Sequence, residues 1–496
     1  VVASACGGVT DQLLGLVDAA GTRRGTEAGS DAPLQAQLAA LLLRHSEIAQ
    51  SLLAPEEAAE YEQELAADLT DIAGVLHTVS LLRDASGRIR DHVAGYGELW
   101  STRLLARYLD TVLGDRSAVW LDARAVLVAD AEVLGPVIRW PESRERLGHW
   151  RREHPESEGA MLVIPGFVAT DSGGLQTTLG RNGSDLSASA FGVLLEADEV
   201  TIWTDVDGVL SADPRRVPDA RVVAGLSYDE AMELAYFGAR VLHPGTLQPA
   251  MAHGIPVRIR NTFAPGGAGT VIGAETSGAH SVKGISSIDG IALLNLEGAG
   301  MIGVPGTAHR MFGALREAGI SVTLISQGSS EHSICVAVPE DQVELADRVV
   351  RRAFDVELRE GLIHDVEVTD DLSVLAVVGD GMAGTHGISA KVFGALARVS
   401  VNVRAIAQGA SERNISVVVN RADAARALRA VHSAFHLSPH TLSIGLIGPG
   451  TVGAVLLEQL AGQAERFRRE FSLDLQLRGV ANSRQMALDD LGMPIE

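Results

Sequence analysis

Apolar residues between positions 11 and 90 recur at spacings of three and four, with Glu and Asp between them. This period is typical of amphipathic helices, and residues 34–53 and 56–69 show it most clearly. The helical pattern continues through residues 92–108. We expect these helices to lay their apolar sides against one face of a sheet.

Short apolar runs bounded by Gly, Pro or Asp predict the strands of that sheet. They lie at residues 1–5, 118–121, 161–164, 199–203 and 255–259. A further helix is predicted over residues 228–236. Strands that alternate with helices favour a three-layer α/β/α domain, which we expect to end near Gly273.

An internal repeat occupies the second half of the chain. Residues 300–338 match residues 381–419 without a gap, at a constant offset of 81 residues. Glycines and polar residues stay in register throughout, as do Gln327 and Gln408. Each copy reads as strand, glycine-rich turn, helix, strand, tight turn and strand. The repeat therefore predicts two small βαββ modules.

A strand predicted at residues 442–447 runs directly into the sequence GPGTVG, which a helix and a second strand follow. In this context G-x-G-x-x-G is the dinucleotide fingerprint, because its glycines let a pyrophosphate approach the helix N-terminus. A glycine turn that only packs a helix on a strand is the alternative. The position of the ribose-binding acid carries Asn482, with Arg484 nearby, which favours NADP over NAD. The residues assigned to this cofactor are Gly448, Gly450, Thr451, Val452, Gly453, Asn482 and Arg484.

The composition limits the classes of function. Of 496 residues, 46% are hydrophobic and 21% are charged, which indicates a folded globular chain. The formal net charge of −22 disfavours nucleic acid and anionic membranes as partners. The two cysteines, Cys6 and Cys335, are too far apart in sequence to suggest a disulfide framework or a metal cluster. With no long uninterrupted apolar run and no signal-peptide pattern, we expect a cytoplasmic location and no membrane insertion.

The turn TTLGRNGSD has the residues of an anion site. Gly180 and Gly183 let backbone donors approach a ligand, and Arg181 adds a charged donor. We expect Ser184 or Asp185 to cap a helix that starts near the following leucine, which leaves free N–H groups at its N-terminus. An ordinary glycine turn that caps a helix is the alternative.

Acidic residues follow the strand predicted at 199–203, in the sequence TDVDG that begins at Thr204. Carboxylates at the end of a strand, before a glycine turn, suit contact with Mg²⁺ or a ribose. Turn chemistry alone is the alternative, because Asp and Gly are favoured in turns for backbone reasons.

Five segments resemble the aspartate kinases, and more closely the bifunctional aspartokinase/homoserine dehydrogenases. They are VVASACGGVTD at 1–11, GELWS at 97–101, GFVATDSGGLQTTLGRNGSD at 166–185, WTDVDGVLSADPR at 203–215 and FGARVLHP at 237–244. The repeated modules resemble ACT regulatory domains, and the GPGTVG turn resembles the start of a homoserine dehydrogenase.

The resemblance implies an amino-acid-kinase three-layer α/β/α domain, two ACT-type modules and the start of a Rossmann NAD(P)-binding domain. The implied boundaries are residues 1–276, 282–360, 361–440 and 441–496. The implied reaction is ATP-dependent phosphorylation of the side-chain carboxylate of L-aspartate, with Mg²⁺ accompanying ATP and no separate metal site. NADP(H) would serve the dehydrogenase half. Glutamate kinase is an alternative, which the tandem modules and the dinucleotide turn disfavour.

Matching motifs carry the family's site residues onto this chain. The implied aspartate contacts are Ser4, Thr10, Glu98, Phe167, Arg181 and Asp185, of which Glu98, Arg181 and Asp185 are implied to be catalytic. The implied contacts with the transferred phosphoryl group are Gly180, Gly183 and Ser184, and those with ATP are Thr204, Asp205, Asp213, Arg215 and Arg240. The family usually has Lys at Arg240 and Tyr at Leu210. The first replacement keeps the charge, whereas the second removes a ring beside the nucleotide.

The modules imply feedback inhibition by an amino acid. Gln327 and Gln408 match effector-binding positions of threonine-regulated members, which favours threonine over lysine. Asn402 of the second module also matches an effector contact, where the first module has Ser321. Exposed turn glutamines on a symmetric scaffold are the alternative. Because ACT modules pair edge to edge, the resemblance also implies a homo-oligomer.

The chain begins with Val1 in what reads as the middle of a strand, and it ends shortly after the dinucleotide turn. The family's KFGGTS motif, whose Lys neutralises phosphoryl charge, does not occur in this sequence. We therefore expect a fragment with little kinase activity in the absence of that lysine, and a dehydrogenase catalytic region beyond residue 496. A degenerate amino-acid-sensing protein is the alternative to an enzyme.

Overall fold

The chain folds as two compact units. The computed structural model describes residues 1–22, 32–114, 117–132, 135–237, 243–274, 281–328, 331–436, 440–471 and 473–493. The first unit comprises Val1–Ile202 and Gly245–Val257, and the second comprises Trp203–Pro244 and Arg258–Glu496. The domain boundaries drawn from the sequence remain predictions.

Helices and strands alternate along most of the chain. The helices are α1 (Val9–Thr22), α2 (Ala32–Leu52), α3 (Pro55–Leu82), α4 (Gly87–Ala94), α5 (Tyr96–Val112), α6 (Ala123–Val126), α7 (Trp140–Glu153), α8 (Gly183–Leu194), α9 (Tyr228–Tyr236), α10 (Pro244–Ala252), α11 (Thr307–Glu317), α12 (Val343–Ala353), α13 (Asp355–Arg359), α14 (Ile388–Arg398), α15 (Arg421–His436) and α16 (Thr451–Phe471). The strands before the repeat are β1 (Val2–Ala3), β2 (Ala118–Trp120), β3 (Ala129–Glu132), β4 (Gly135–Ile138), β5 (Met161–Pro165), β6 (Val168–Thr170), β7 (Gln176–Thr178), β8 (Val200–Thr204), β9 (Gly225–Ser227), β10 (Val257–Asn261) and β11 (Thr270–Gly273). The later strands are β12 (Gly284–Glu297), β13 (Leu324–Gln327), β14 (Ser333–Pro339), β15 (Asp365–Val378), β16 (Ala405–Gln408), β17 (Asn414–Asn420), β18 (His440–Ile447), β19 (Leu473–Ala481) and β20 (Met486–Met493).

The longest helix, α3, shows why the apolar period predicts helices here. Its buried residues are Ala58, Tyr61, Leu65, Leu69, Ile72, Leu76 and Val79, which form one stripe at spacings of three and four. Pro55 starts the helix, where its missing N–H costs nothing, and Arg83 ends it in the left-handed conformation. By length and composition alone α3 is also apolar enough to cross a membrane. Its stripe packs instead in the core of the first unit.

The first unit contains a three-stranded parallel sheet in the order β1-β5-β2. Val2 pairs with Ile164 and Ala3 with Pro165, so that β1 and β5 end together. Because the strands are parallel, their carboxyl ends share one edge, where ligands bind in open α/β sheets. The first strand is shorter than the sequence predicts, because the chain turns away from β5 at Ser4.

The repeat builds a single six-stranded sheet in the order β13-β14-β12-β15-β17-β16. Four elements of the first copy recur with identical lengths in the second: β12 and β15, α11 and α14, β13 and β16, and β14 and β17. The two long strands β12 and β15 pair antiparallel, which joins the modules side by side. We refer to the copy that begins at β12 as module 1 and the copy that begins at β15 as module 2.

The βαββ prediction is correct for both modules, and a further helix packs on each of them. Ala346 and Val350 of α12 are fully buried, as are Ala427 and Val431 of α15. These pairs are four residues apart and therefore lie on one face of each helix. The two helices bury this face in the cores of module 1 and module 2 respectively.

The last described segment runs from β18 through α16 to β19, and β18 and β19 are parallel. This strand–helix–strand order agrees with the context that the dinucleotide fingerprint requires. The next strand, β20, is antiparallel to β19. A complete dinucleotide-binding fold therefore remains a prediction.

Candidate active site and effector site

Two loops leave the carboxyl edge of the parallel sheet, one after β1 and one after β5. Gly166 donates its N–H to the carbonyl of Ala3 (2.9 Å), which holds the second loop against the end of β1. Phe167 follows with a φ of 66°, a left-handed conformation that is rare for a bulky residue. Its N–H donates to Ser187 Oγ (3.0 Å). Ser4 begins the first loop, so the structure brings Ser4 and Phe167 to the same edge.

The helix after the glycine turn begins at Gly183, whereas the sequence placed its start near Leu186. Neither Ser184 nor Asp185 caps this helix, because both lie inside its first turn. Asn182 occupies the N-cap position in the left-handed conformation and makes no side-chain cap bond. The predicted cap is therefore wrong, although the turn does lead directly into a helix.

Close packing explains the earlier start of α8. A Cβ on Gly183 would lie 2.7 Å from Phe167 Cδ2, and one on Gly166 would lie 2.7 Å from Ser184 Cβ. Glycine at both positions permits this approach of the turn to the loop after β5. The Gly183 N–H then closes the turn on the Gly180 carbonyl (3.0 Å).

The N-terminus of α8 is suited to bind an anion. The N–H groups of Ser184 and Asp185 lie in the first turn, where a helix leaves its donors without intrahelical acceptors. Burial raises the pKa of Asp185. Arg181 is exposed, and within the described ranges its guanidinium forms no hydrogen bond or ion pair. The turn thus offers backbone donors and one uncommitted cation.

The GELWS segment places some of its residues in the core and others against the loop after β1. Trp100 is fully buried. A Cβ on Gly97 would lie 2.8 Å from the Cβ of Ala5, so α5 and this loop are in close contact. Ser101 Oγ donates to the carbonyl of Ser4 (2.7 Å). The motif therefore ties α5 to the carboxyl end of β1.

Glu98 is the most strongly perturbed acid in this group. Its side chain is buried at 4% exposure and accepts a hydrogen bond from the backbone of Ala5. Its Oε2 is buried and has no hydrogen-bond partner among the residues that the structure describes. Burial raises the pKa of Glu98 to about 7, against the opposing effect of its backbone donors. Thr10 lies nearby, with Oγ1 3.7 Å from where a Cβ on Gly97 would be.

The second unit contains a cavity of about 480 Å³ lined by the ends of β8, β12 and the loop between β8 and β9. Four predicted ATP contacts line it: Thr204, Asp205, Asp213 and Arg215. Leu210, where the family usually has Tyr, also lines this cavity. Arg240 lies outside the described residues, and its predicted role stays untested.

Asp213 and Arg215 form a two-pronged ion pair. Arg215 Nη2 lies 2.8 Å from Asp213 Oδ2, while Nε and the backbone N–H of Arg215 both donate to Asp213 Oδ1 at 3.0 Å. The Arg215 guanidinium holds the pKa of Asp213 below its usual range. The pair therefore fixes the shape of the DPR turn at the mouth of the cavity.

Strand β12 contributes to the wall of this cavity, which the sequence did not predict. Ile285, Ser286 and Ser287 of this strand line it. Ser287 Oγ also accepts a hydrogen bond from Arg216 (3.1 Å), the residue after the DPR turn. No motif marks these positions, because the strand lies about 70 residues further along the chain than the turn that it meets.

A second cavity, of about 390 Å³, lies in module 1 beside Gln327 at the end of β13. Glu331 also lines it and accepts a hydrogen bond from the Gly303 N–H (2.9 Å). Module 2 repeats this bond between Glu412 and Gly384 (2.8 Å). The turn before α11 or α14 is therefore held in the same way in both copies.

The other two predicted effector contacts belong to module 2. Gln408 ends β16 and Asn402 lies in the loop before it, and both side chains are exposed. Of the three glutamine and asparagine residues proposed for the effector, only Gln327 lines one of the cavities described above.

The dinucleotide turn has the close packing that its glycines predict. A Cβ on Gly453 would lie 2.6 Å from the carbonyl oxygen of Gly448, so α16 packs tightly on the end of β18. Asn482 Oδ1 accepts the N–H groups of Arg484 and Gln485 (both 2.8 Å). The Asn482 side chain thus closes the turn after β19.

Two family profiles match this chain. The profile of the amino acid kinase family matches residues 1–261, and that of the ACT domain matches residues 294–354 and again 375–435. The kinase match covers more than half of the chain. The chain belongs to the amino acid kinase family, and it carries two ACT domains at the positions of module 1 and module 2.

Individual relatives narrow the comparison further. The chain is 42% identical, over its whole length, to the chloroplastic bifunctional aspartokinase/homoserine dehydrogenase 2 of Arabidopsis thaliana. It covers 54% of that protein and thus spans about half the length of the curated relatives it matches.

Solved structures give the same result for the fold. E. coli aspartokinase III in complex with aspartate and ADP (R-state) is 29% identical, with a TM-score of 0.69, over 87% of this chain and 92% of that one. The same enzyme in complex with lysine and aspartate (T-state) is 28% identical, with a TM-score of 0.65, over 88% of this chain and 92% of that one. The predicted kinase fold and the predicted ACT modules are thereby confirmed.

Proposed function

We propose that this chain holds the aspartate and ATP sites of an aspartate kinase, which phosphorylates the side-chain carboxylate of L-aspartate at the expense of ATP. The observation that carries the proposal is Glu98, a buried carboxylate with one oxygen that lacks a partner in the described part of the chain. A buried acid of this kind is unfavourable by itself and becomes favourable once a cation is placed against it. The α-ammonium group of an amino acid supplies that cation.

The turn before α8 complements Glu98 with the opposite charge. An aspartate substrate carries two carboxylates, and Arg181 can pair with one of them through two parallel hydrogen bonds. Gly180, Gly183 and Ser184 present backbone near the helix N-terminus, where developing negative charge on a phosphoryl group is stabilised. No nucleophile has to be made by the protein, because the aspartate carboxylate is already ionised at neutral pH.

The cavity of the second unit is proposed to hold ATP. Thr204, Asp205, Asp213 and Arg215 would contact the nucleotide, and the carboxylate of Asp205 is exposed there. Within the described ranges, no three His, Cys, Asp or Glu side chains are grouped to hold a metal by themselves. The carboxylates of Asp205 and Asp213 fit Mg²⁺, because that ion is usually held by one or two carboxylates together with substrate phosphates. Mg²⁺ would neutralise the charge on the transferred phosphate.

Isothermal titration of L-aspartate tests the substrate. We expect binding by the wild type and a loss of at least about tenfold in affinity for Arg181→Ala, because a charge-assisted pair is removed. Arg152→Ala, another exposed arginine of the first unit, is the matched control. Tighter binding of glutamate than of aspartate would favour a glutamate kinase instead. A coupled assay of aspartate-dependent ADP release tests the reaction itself, and we expect a low rate because the KFGGTS lysine does not occur in this sequence.

Threonine is proposed as the feedback inhibitor that binds near Gln327 and Gln408. The E. coli aspartokinase III structure contains lysine, so both amino acids are to be titrated. We expect Gln327→Ala to reduce the heat of threonine binding, and Gln463→Ala, an exposed glutamine of α16, to leave it unchanged. Unaltered threonine binding in Gln327→Ala, or binding of lysine alone, would refute the assignment.

The segment from β18 to β20 is proposed to begin an NADP(H)-binding domain. In the complete protein it would serve reduction of aspartate semialdehyde to homoserine, as the name of the Arabidopsis relative suggests. A cytoplasmic location and a homo-oligomer formed through the ACT modules also remain proposals. Light scattering of the purified chain at several concentrations tests the second of these.

A further inference from the structure

The loop from Val209 to Val217, which contains the DPR turn, contributes side chains to the core of module 2. We refer to it as the nucleotide loop. Ala212 and Val217 are 5% and 3% exposed, and both belong to the apolar cluster that includes Leu428 and Val431 of α15. The residues on either side of Asp213 thus pack in the core of module 2.

A buried polar pair connects the same loop to α15. Ser211 Oγ lies 2.8 Å from His432 Nε2, and the two residues are 2% and 1% exposed. The Ser211 carbonyl accepts the N–H of Ile285 at the start of β12 (2.8 Å). Ser211 is therefore held from two sides by elements of the regulatory sheet and its helix.

The Ser211–His432 bond involves a neutral imidazole ring. Burial lowers the pKa of His432 to about 4. Ser211 Oγ accepts the N–H of Arg221 (2.9 Å) and still has a hydrogen to donate and a second lone pair to accept with. The tautomer of the ring decides whether Ser211 or His432 donates. In either tautomer the bond ties the nucleotide loop to α15.

The internal repeat provides a comparison within the molecule. The position of His432 corresponds to Arg351 of module 1, at the offset of 81 residues. Arg351 is partly exposed and pairs with Asp347 of α12 and with Asp365 at the start of β15, so its contacts lie within the regulatory sheet and its helix. In module 2, which receives the nucleotide loop, this position is instead a buried histidine that bonds to that loop. The difference points to a role in docking the loop and not in the stability of an ACT fold.

Arg216 makes a second connection from the loop to the regulatory sheet. It forms an ion pair with Asp289 of β12, and Asp289 also accepts a hydrogen bond from Ser373 of β15 (2.7 Å). The loop is therefore fixed at Ser211 and Arg216, on both sides of the turn that contains Asp213.

We propose that Ser211 and His432 are positioning residues for the nucleotide, through which α15 of module 2 holds Asp213 and Arg215 in place for ATP. The inference rests on the proposed function, since it takes the cavity of the second unit as the ATP site. An effector that changes the packing of module 2 then changes the affinity for ATP by some factor. By linkage, ATP changes the affinity of module 2 for that effector by the same factor.

Binding of MgATP to the full chain, measured by titration calorimetry, tests the proposal with Ser211→Ala and His432→Phe. We expect the Kd for MgATP to rise about three- to tenfold in each, the range set by one buried hydrogen bond. The Kd for aspartate is expected to stay at the wild-type value. Ser211→Thr and His432→Gln keep a donor and an acceptor, and we expect them to restore affinity at least in part.

Ser416→Ala is the matched control, because Ser416 of β17 is also buried in module 2 and hydrogen-bonded, to Asn414 (3.1 Å). It does not contact the nucleotide loop, and we expect wild-type affinity for MgATP. A loss in the control as large as in Ser211→Ala would mean that any damage to module 2 weakens nucleotide binding, and the specific role would be refuted.

Hydrogen exchange over residues 209–217 distinguishes failure of this inference from failure of the proposed function. We expect faster exchange of this segment in Ser211→Ala than in the wild type or in Ser416→Ala. If the wild type binds no ATP, the proposed function fails, and the exchange result still decides whether the pair holds the loop. Unchanged exchange, or faster exchange with unchanged MgATP affinity, overturns the inference.

Discussion

Replacing Glu98 by Gln should stabilise the protein and impair its binding of aspartate. The buried carboxylate is unfavourable in the free protein because burial costs it hydration, and this raises its pKa from 4.5 to about 7. The folded state therefore binds a proton that the unfolded chain has released between these two pH values. Stability falls as the pH rises through that window, by the linkage between proton binding and unfolding.

The size of the effect follows from the shift in pKa. A difference of roughly 2.5 units corresponds to about 3 kcal/mol of stability lost once the pH is above 7. Glutamine removes this charge but leaves an amide that lacks partners, which costs about 1–2 kcal/mol. We therefore expect Glu98→Gln to gain about 1–2 kcal/mol at pH 8 and to gain nothing at pH 4.

Aspartate binding should change in the opposite direction. An ammonium group requires the ionised form of Glu98, whose population falls by about tenfold between pH 8 and pH 6 if the pKa is near 7. We expect the Kd of the wild type for aspartate to rise by about that factor over this range. In Glu98→Gln the Kd should be about tenfold or more above that of the wild type at pH 8, and it should no longer depend on pH in this window.

Two assays on one pair of variants check this reasoning. Thermal unfolding at pH 4 and pH 8 gives the change in Tm, and calorimetric titration with aspartate at pH 6, 7 and 8 gives the binding profile. Glu60→Gln, an exposed glutamate of α3, controls for loss of one negative charge. An unchanged Tm at pH 8, or the same pH dependence of aspartate binding in both proteins, would refute the account of Glu98.

Three other substitutions have outcomes that the packing predicts. Gly166→Ala introduces a Cβ 2.7 Å from that of Ser184, so we expect a stability loss of about 1–3 kcal/mol in urea unfolding and the loss of most aspartate binding in calorimetry. The control Gly15→Ala lies in open space within α1 and should be neutral or stabilising. Equal stability losses in the two variants would refute close packing at Gly166. Leu65→Ala empties part of the first unit's core and should cost about 2–5 kcal/mol in urea unfolding, whereas a cost below 1 kcal/mol would refute tight packing around α3. Gly453→Ala brings a Cβ within 2.6 Å of a backbone oxygen, and NADPH binding, followed by its fluorescence, should weaken about tenfold or more.

Much of the fold could be read from the sequence where local pattern decides it. The stripe on α3 predicts its helix, because spacings of three and four place apolar residues on one side at any helix position. The repeat predicts two equal modules, because residues 81 apart in sequence have equivalent neighbours. The structure agrees, since β12 and β15 have the same length. Motif resemblance placed Glu98 and Arg181 in one site, although no periodicity assigns either of them a role.

Other features depend on contacts between residues that are distant in sequence. The start of α8 at Gly183 depends on Phe167 and Ser184 packing against neighbouring turns, so a rule for local caps placed it three residues late. The perturbed pKa of Glu98 likewise arises from burial, which a sequence does not display.

Spacing along the chain is enough to define the helices, the repeat and the motifs. The module that receives the nucleotide loop is instead set by contacts between distant residues. Ser211 and His432 are 221 residues apart, and neither lies in a pattern that predicts the other. Their hydrogen bond exists because folding buries both side chains at one place, where each polar atom must find a partner. Glu98 Oε2 is buried without a partner in the described part of the chain, and the same requirement is met there by the proposed substrate.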